Sequence, residues 1–272
     1  MPTTFMNGTP PRPQPNDGFA WTQERWGTAL HCIPLSSVAA HLFTTASLRL
    51  VDDEREWAAV AAHMGVAPAC VRLIRQIHGV DVAIVRAGAR ADRHRPEADI
   101  VISDDPSAAV GVRVADCAPV LLADRRRGVV GAAHAGWRGT VKRAAAVAVA
   151  ALGRTFGSDP GDLVAAVGPC LGVCCGEMGP EVRQSFRDAG HPAEDLNRWF
   201  TPGRAERSHL DLSAANRDQL ARAGVPLSQI FTAGICTNTH RTLLHSYRAH
   251  GAGAGRMAAM IRARGASSRQ KG

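Results

Sequence analysis

The stretch ADCAPVLLADRRRGVVGAAHAGWRGT, residues 115–140, constrains this chain more than any other. Residues 120–123 are a short apolar run, 124–128 a charged break ending in glycine, and 129–133 a second run of small and β-branched residues. Two such runs around a short Gly-containing break predict a β-hairpin. Pro119 stands at the head of the first strand, where a missing N–H is tolerated. With the turn centred on Arg126, Cys117 falls opposite Ala135, one step from His134. A one-residue bulge or shift then sets Cys117 and His134 side by side, with Cβ atoms ~5 Å apart. That spacing suits two ligands of one tetrahedral metal, or a thiolate–imidazolium pair. The plainer alternative is a buried cysteine and a surface histidine that never meet.

Around the hairpin the pattern alternates between the two regular structures. Strands are expected near 39–45, 71–77, 82–85, 99–103, 109–114, 163–167 and 230–234. Helices are expected over 52–64, 141–152, 180–189 and 214–223, the second with Thr140 as its N-cap. Helix 141–152 is apolar almost all round and is therefore read as buried. Neither a Rossmann fingerprint, a P-loop nor a repeat is found. The fold class expected is α/β (α+β), a single domain over residues 20–262 with mixed sheets flanked by helices. A disordered N-terminal arm, residues 1–19, precedes it, and a basic disordered tail, residues 263–272, follows.

Composition narrows the function. At 45% apolar over 272 residues the chain can bury a sizeable core. No apolar run is long enough to span a bilayer and no signal peptide is visible, so no membrane partner is expected. Seven scattered cysteines, an odd number, point to reduced thiols and a cytoplasmic setting. The net charge is +8, but no basic stripe is interleaved with aromatics, so no nucleic-acid partner is expected. A basic balance does suit an anionic substrate.

A third polar residue joins the pair. His78, in QIHGVDV, sits where a strand meets a Gly-containing turn. One thiolate and two imidazoles match a catalytic zinc site whose fourth position stays open, and the same donors accept copper. The three are far apart in sequence, at no zinc-finger spacing. Two other groups compete: Cys170 with Cys174 and Cys175, which lacks paired CxxC units, and Cys236 with Thr237, His240 and His245. After His134, Gly136-Trp137-Arg138-Gly139-Thr140 enters a helix. Arg138, Gly139, Thr140 and free N–H groups there make a candidate anion site, or else an ordinary turn carrying a surface arginine. Eleven histidines include no H-x-H pair, which excludes a four-copper oxidase. The H-x-E with P-C-x-x-C signature of zinc deaminases is also missing.

QIHGVDV, ADCAPVLLAD, HAGWRGT, GPCLGVCCGEMG and SYRAHGAGAGRMAAMI, in that order, resemble the YfiH-like family over roughly residues 30–262. Its members are described as polyphenol oxidases (laccases), purine nucleoside phosphorylases and peptidoglycan editing factors. The resemblance implies a sandwich like that of the cytotoxic necrotising factor deamidase. It also implies a zinc held by His78, Cys117 and His134. The activities it implies are phosphorolysis of adenosine, inosine and methylthioadenosine, with adenosine deamination. Purine nucleosides and phosphate are then the partners, and Cys117, His134 and Arg138 the catalytic residues. A copper-supported phenol oxidase, a Cys/His hydrolase editing peptidoglycan precursors, and a scaffold with a structural metal are the competing readings. Three departures stand out. Ala46 replaces the arginine that ends the family's early strand, Gly176 replaces the aromatic of CCYEV, and the aromatic before SYR is missing.

Overall fold

The computed structural model describes residues 12–51, 53–89 and 95–264. Within them lie fifteen strands: β1 (Phe19–Glu24), β2 (Gly27–Cys32), β3 (Ala40–Thr44), β4 (Val71–Leu73), β5 (Val82–Val85), β6 (Ile100–Ser103), β7 (Ala109–Val114), β8 (Ala118–Asp124) and β9 (Val130–Ala135) come first. β10 (Leu163–Val167), β11 (Glu177–Met178), β12 (Phe200–Pro202), β13 (Ser208–Leu210), β14 (Ile230–Thr232) and β15 (Met257–Arg262) follow. They form two six-stranded mixed sheets, ordered β1-β2-β3-β15-β7-β4 and β14-β10-β8-β9-β6-β5, and a small third sheet, β11-β13-β12.

The two large sheets pack face to face. Strand side chains alternate faces, so each strand serves two cores. Leu121 and Ala123 of β8 and Val130 and Ala132 of β9 meet Phe43, Val112 and Ile261 of the opposite sheet. Val120 and Leu122 point the other way, onto the helices Ala144–Phe156 and Leu212–Arg222. The outer face of the first sheet, with Leu42 and Met260, is covered by Val60 and Met64, on and just after the helix Glu54–His63. The result is a helix–sheet–sheet–helix stack. Gly111 has no side chain because Met260 of the neighbouring β15 fills that space: a Cβ there would lie 2.2 Å from the Met260 sulfur.

The structure adjusts several expectations. The arm expected over 1–19 is engaged with the fold from residue 12 onward: Trp21 donates to Pro13 O, Asn16 N donates to Ala233 O, and β1 begins at Phe19. Residues 1–11 lie outside the described residues, as do 265–272 of the expected tail. At the tail's start Ala263 is buried and the Arg264 guanidinium donates to the Ser36 and Ser37 carbonyls. The helix expected over 141–152 is two helices, Trp137–Val141 and Ala144–Phe156, separated by Arg143 in the left-handed region (φ 61°). Thr140 is therefore no N-cap. Its hydroxyl, inside the first helix, reaches back to the Gly136 and Ala135 carbonyls just before it. Among the described residues no helix is long and apolar enough to cross a membrane, and all seven cysteines are free.

Candidate functional site

The hairpin forms as its sequence dictates. Asp124 Oδ1 accepts from the Arg126 and Arg127 N–H groups at 2.8 Å, and Gly128 takes the left-handed conformation (φ 71°) that closes the turn. The register is one step from that expected: Ala118 pairs Ala135 and Pro119 pairs His134. That step decides the geometry. Continued outward it places Cys117 opposite Gly136, so Cys117 and His134 are diagonal neighbours on the same face, and the β8–β9 pairing runs through without a bulge. Gly136 is required here, since a Cβ at that position would lie 2.5 Å from the Cys117 sulfur.

The two other segments of the site cross between the large sheets. His78 lies in the segment from β4 of the first sheet to β5 of the second, and Cys117 in the segment from β7 to β8. The two crossings converge beside β9. His78 and the neighbour of Cys117, Asp116, both adopt left-handed backbone (φ 61° and 85°), a cost accepted where surrounding contacts fix the chain. His78 and His134 rings stand edge to face with centroids 4.9 Å apart. One ligand atom each from His78, Cys117 and His134 lies within 4.8 Å of the other two.

A buried aspartate that sequence reasoning passed over organises this group. Asp99, at the head of β6, is fully buried. Its carboxylate accepts from the N–H groups of Ile77, His78 and Gly79 at 2.6–3.0 Å. It also accepts from His134 Nδ1 at 2.7 Å, while its backbone carbonyl accepts from His134 N. One side chain thus holds the His78 turn and the His134 ring together and directs His134 Nε2 toward Cys117. Burial opposes the charge on Asp99, but the His134 and Gly79 hydrogen bonds outweigh it and hold its carboxyl below the usual range. Burial likewise opposes ionisation of Cys117, yet the His134 and His78 rings draw its thiol down to about 6. Against its own burial, His134 is raised to about 9, chiefly by the Cys117 charge and then by Asp99. An acidic residue immediately before the apolar run IVIS was the available signal for Asp99.

The group opens into a cavity of about 910 Å³. Arg49, Arg75, Arg113, Arg138, Arg248 and Arg256 line it, with Trp137, Leu171, Met178 and Tyr247 among the apolar surfaces. Asp116 is the acidic residue on this lining, and both its oxygens are engaged, by the Thr237 hydroxyl and by Arg248 N. Arg138 stacks on Trp137 at 4.3 Å and lines the cavity. Gly139 and Thr140 do not. Both are buried, Gly139 against the His134 carbonyl and Thr140 against Asn216. The candidate anion site therefore narrows to Arg138 and its fellow arginines, because the turn that carries all three residues exposes only one. One of the departures has a local cause. Gly176 lies against the Leu210 carbonyl of β13, where a Cβ would approach to 2.6 Å. At Ala46 the backbone N–H donates to Leu243 O, which nothing ties to the loss of the arginine.

Comparison with known proteins agrees with this architecture. The family model described as multi-copper polyphenol oxidoreductase laccase matches residues 47–264. A purine nucleoside phosphorylase of Deinococcus radiodurans is 37% identical over 207 residues, covering 75% of this chain and 74% of that protein. Adenosine deaminase RL5, from an unknown prokaryotic organism, is 35% identical over 204 residues, covering 72% and 76%. The crystal structure of Bacillus licheniformis hypothetical protein YfiH superposes with a TM-score of 0.79 at 28% identity, covering 87% of this chain and 96% of that one. With most of its length matched by the model and two thirds or more shared with such relatives, the chain belongs to this YfiH-like, laccase-domain family.

Proposed function

We propose that the chain is a purine nucleoside enzyme that cleaves nucleosides by phosphorolysis and deaminates adenosine. The observation that carries this reading is the joining of a His78–Cys117–His134 group to an arginine-lined cavity large enough for a nucleoside and an anion. The relatives named as purine nucleoside phosphorylase and adenosine deaminase support it.

The donor set fits zinc: one sulfur and two ring nitrogens within reach of one ion, with the Nδ1 of His134 already committed to Asp99. Bound there, zinc would supply Lewis-acid polarisation and a lowered pKa for coordinated water. The protein's own groups do the rest. Asp99 fixes the His134 tautomer. Arg138 and the neighbouring guanidinium groups neutralise and orient phosphate for attack at the ribose carbon that bears the base, where the C–N bond breaks and a C–O bond forms. Trp137, Tyr247 and Leu171 offer surfaces for a purine ring.

The test is product analysis with the metal-replete full chain: inosine with phosphate, then adenosine without it. Hypoxanthine plus ribose 1-phosphate from the first and inosine from the second support the reading, and failure of both overturns it. A metal-free thiolate hydrolase is the rival that the ionised Cys117–His134 pair favours. Amide hydrolysis that survives chelation would decide for it.

A further inference from the structure

A second group of soft ligands lies outside the cavity. We propose that Cys174, Cys175 and Cys236 form a thiolate metal site for a thiophilic d10 cation, Cu(I) or Zn²⁺, separate from the His78–Cys117–His134 group. One sulfur from each lies within 4.8 Å of the other two, and Cys174 Sγ and Cys175 Sγ are 3.7 Å apart. Thiolates about 2.3 Å from a tetrahedral zinc stand about 3.8 Å from one another, so the sulfurs need little movement to share an ion.

Two loops distant in sequence build the site, and backbone pairing holds them together. Cys170 and Cys236 form a parallel bridge, with Cys170 N donating to Ile235 O and Thr237 N to Cys170 O. Cys175 N donates to Gly172 O, folding the turn that brings Cys174 and Cys175 over Cys236. Gly172 leaves the space between them open: a Cβ there would lie 2.9 Å from the Cys236 Cβ and 3.5 Å from the Cys174 sulfur. The Thr239 hydroxyl reaches Cys174 and Cys175 sulfurs at 3.3 and 3.5 Å, a second-layer donor for thiolates. Although burial opposes it, hydrogen bonds from Thr239 and Gly172 hold the Cys236 thiol below its usual value, whereas burial and the neighbouring Cys236 push the Cys174 thiol up to about 11, so it is the positions of the three sulfurs that carry the site.

Plain packing accounts less well for this group. Cys170, the neighbouring thiol that packs in the core, is fully enclosed and pushed up by burial. Cys174, in contrast, is exposed, Cys175 partly so, and Cys236 buried, which gives an ion an entrance and a floor. Exposed clustered thiols left free are open to oxidation. Soft thiolate donors of this kind select Cu(I) or zinc over harder cations.

The site also bears on the cavity wall. Leu171 and Met178, on either side of the cysteine pair, line the cavity, whereas none of the three cysteines does. The Arg248 guanidinium, also on the lining, donates to the Cys175 and Glu177 carbonyls. An ion at the three thiols would therefore pin the loop that forms this wall. The proposal does not depend on which substrate the cavity holds.

The experiment removes the first site and titrates the second. Full-length Cys117→Ser protein, reduced and anaerobic, is titrated with Cu(I) and separately with Zn²⁺ against a competing chelator. One tight equivalent is expected, with a thiolate-to-metal ultraviolet band for Cu(I). Adding Cys174→Ser and Cys236→Ser should weaken it more than about 100-fold, whereas adding Cys70→Ser should leave it unchanged. No tight equivalent in Cys117→Ser, or one that survives loss of Cys174 and Cys236, overturns the site. A second measurement does not rely on variants folding. Alkylation mapping of the wild-type chain with Cu(I) should show Cys174, Cys175 and Cys236 protected and Cys70 not. Equal labelling with and without the ion overturns the proposal.

Discussion

Two of the metal-capable triplets of side chains, one lining the cavity and one outside it, are built differently. His78, Cys117 and His134 are gathered by two sheet-to-sheet crossings, locked by a buried carboxylate and opened to a charged cavity. Cys174, Cys175 and Cys236 are gathered by a turn and a bridge, have a hydroxyl and backbone N–H groups beside them but no carboxylate hydrogen-bonded to them, and do not line the cavity. The lesson is that ligand proximity alone does not separate a site for chemistry from a site for holding an ion. On the roles proposed for them, the supporting carboxylate and the open, cationic face are what distinguish the first triplet from the second.

Breaking the first triplet should have the largest consequence. Cys117→Ser should lose most of the zinc by elemental analysis and lower nucleoside turnover by more than about 100-fold, the upper range for losing even an outer-layer partner. Full zinc retention would mean that the ligands are misassigned. Replacing Asp99 with Asn tests the asymmetry itself. Zinc affinity measured by chelator competition should fall about 10- to 100-fold, while the Cu(I) affinity of the three thiols stays constant. A fall at both would show that Asp99 serves the fold rather than one triplet.

Arg138→Ala addresses the charged face alone. Losing a charge-assisted contact of roughly 1.5–3 kcal/mol should raise the phosphate KM about tenfold to a hundredfold, with phosphate-independent deamination falling much less. Equal loss of both activities would make Arg138 structural. The smallest effect belongs to neither triplet and serves as their control. His41 is buried and, by burial first and the nearby His31 charge second, is lowered to about 3. Its Nε2 accepts from Cys32 N, a bond available only to the neutral ring. The unfolded chain takes up a proton near pH 6.5, whereas the folded one waits until about 3, so stability must fall as pH drops through that window. Between pH 6.5 and 5 the loss is about 2 kcal/mol, readable as a falling urea midpoint. In His41→Gln that slope should flatten, with metal content unchanged at both triplets at neutral pH.

Much of the fold was legible where the pattern is strong. Strands β6 to β10 read directly from alternating or fully apolar runs bounded by turns, and the hairpin gave up its Cys–His pair because its break is short. The register came out one step off, since Asp124 rather than Arg126 organises the turn, and no propensity reports that hydrogen bond. The first hairpin, Phe19–Cys32, was hidden by polar and aromatic residues on a half-exposed edge, and β15 by its alanines and methionines. The residues of the first triplet were recognisable by motif. Asp99, Gly136 and the arginine ring were not, because their work depends on what faces them across space. The thiol triplet was half visible: Cys174 and Cys175 were grouped with Cys170, and Cys236 with its histidines, because no sequence signal announces a bridge between distant loops.

The position of β15 has a further consequence. It lies in the middle of the first sheet, between β3 and β7, yet among the described residues it is the last strand in the chain and leaves the ribosome after every other. Until residues 257–262 emerge, β3 and β7 each present an unpaired edge of buried-type residues, Leu42 and Phe43 on one and Val110 and Val112 on the other. The second sheet, complete by β14, can assemble earlier and offer those strands a surface to rest on. Helper proteins that shield strand edges would matter most in the interval before the central strand arrives, and ribosome-stalled chains ending before Met257 should be the species they capture.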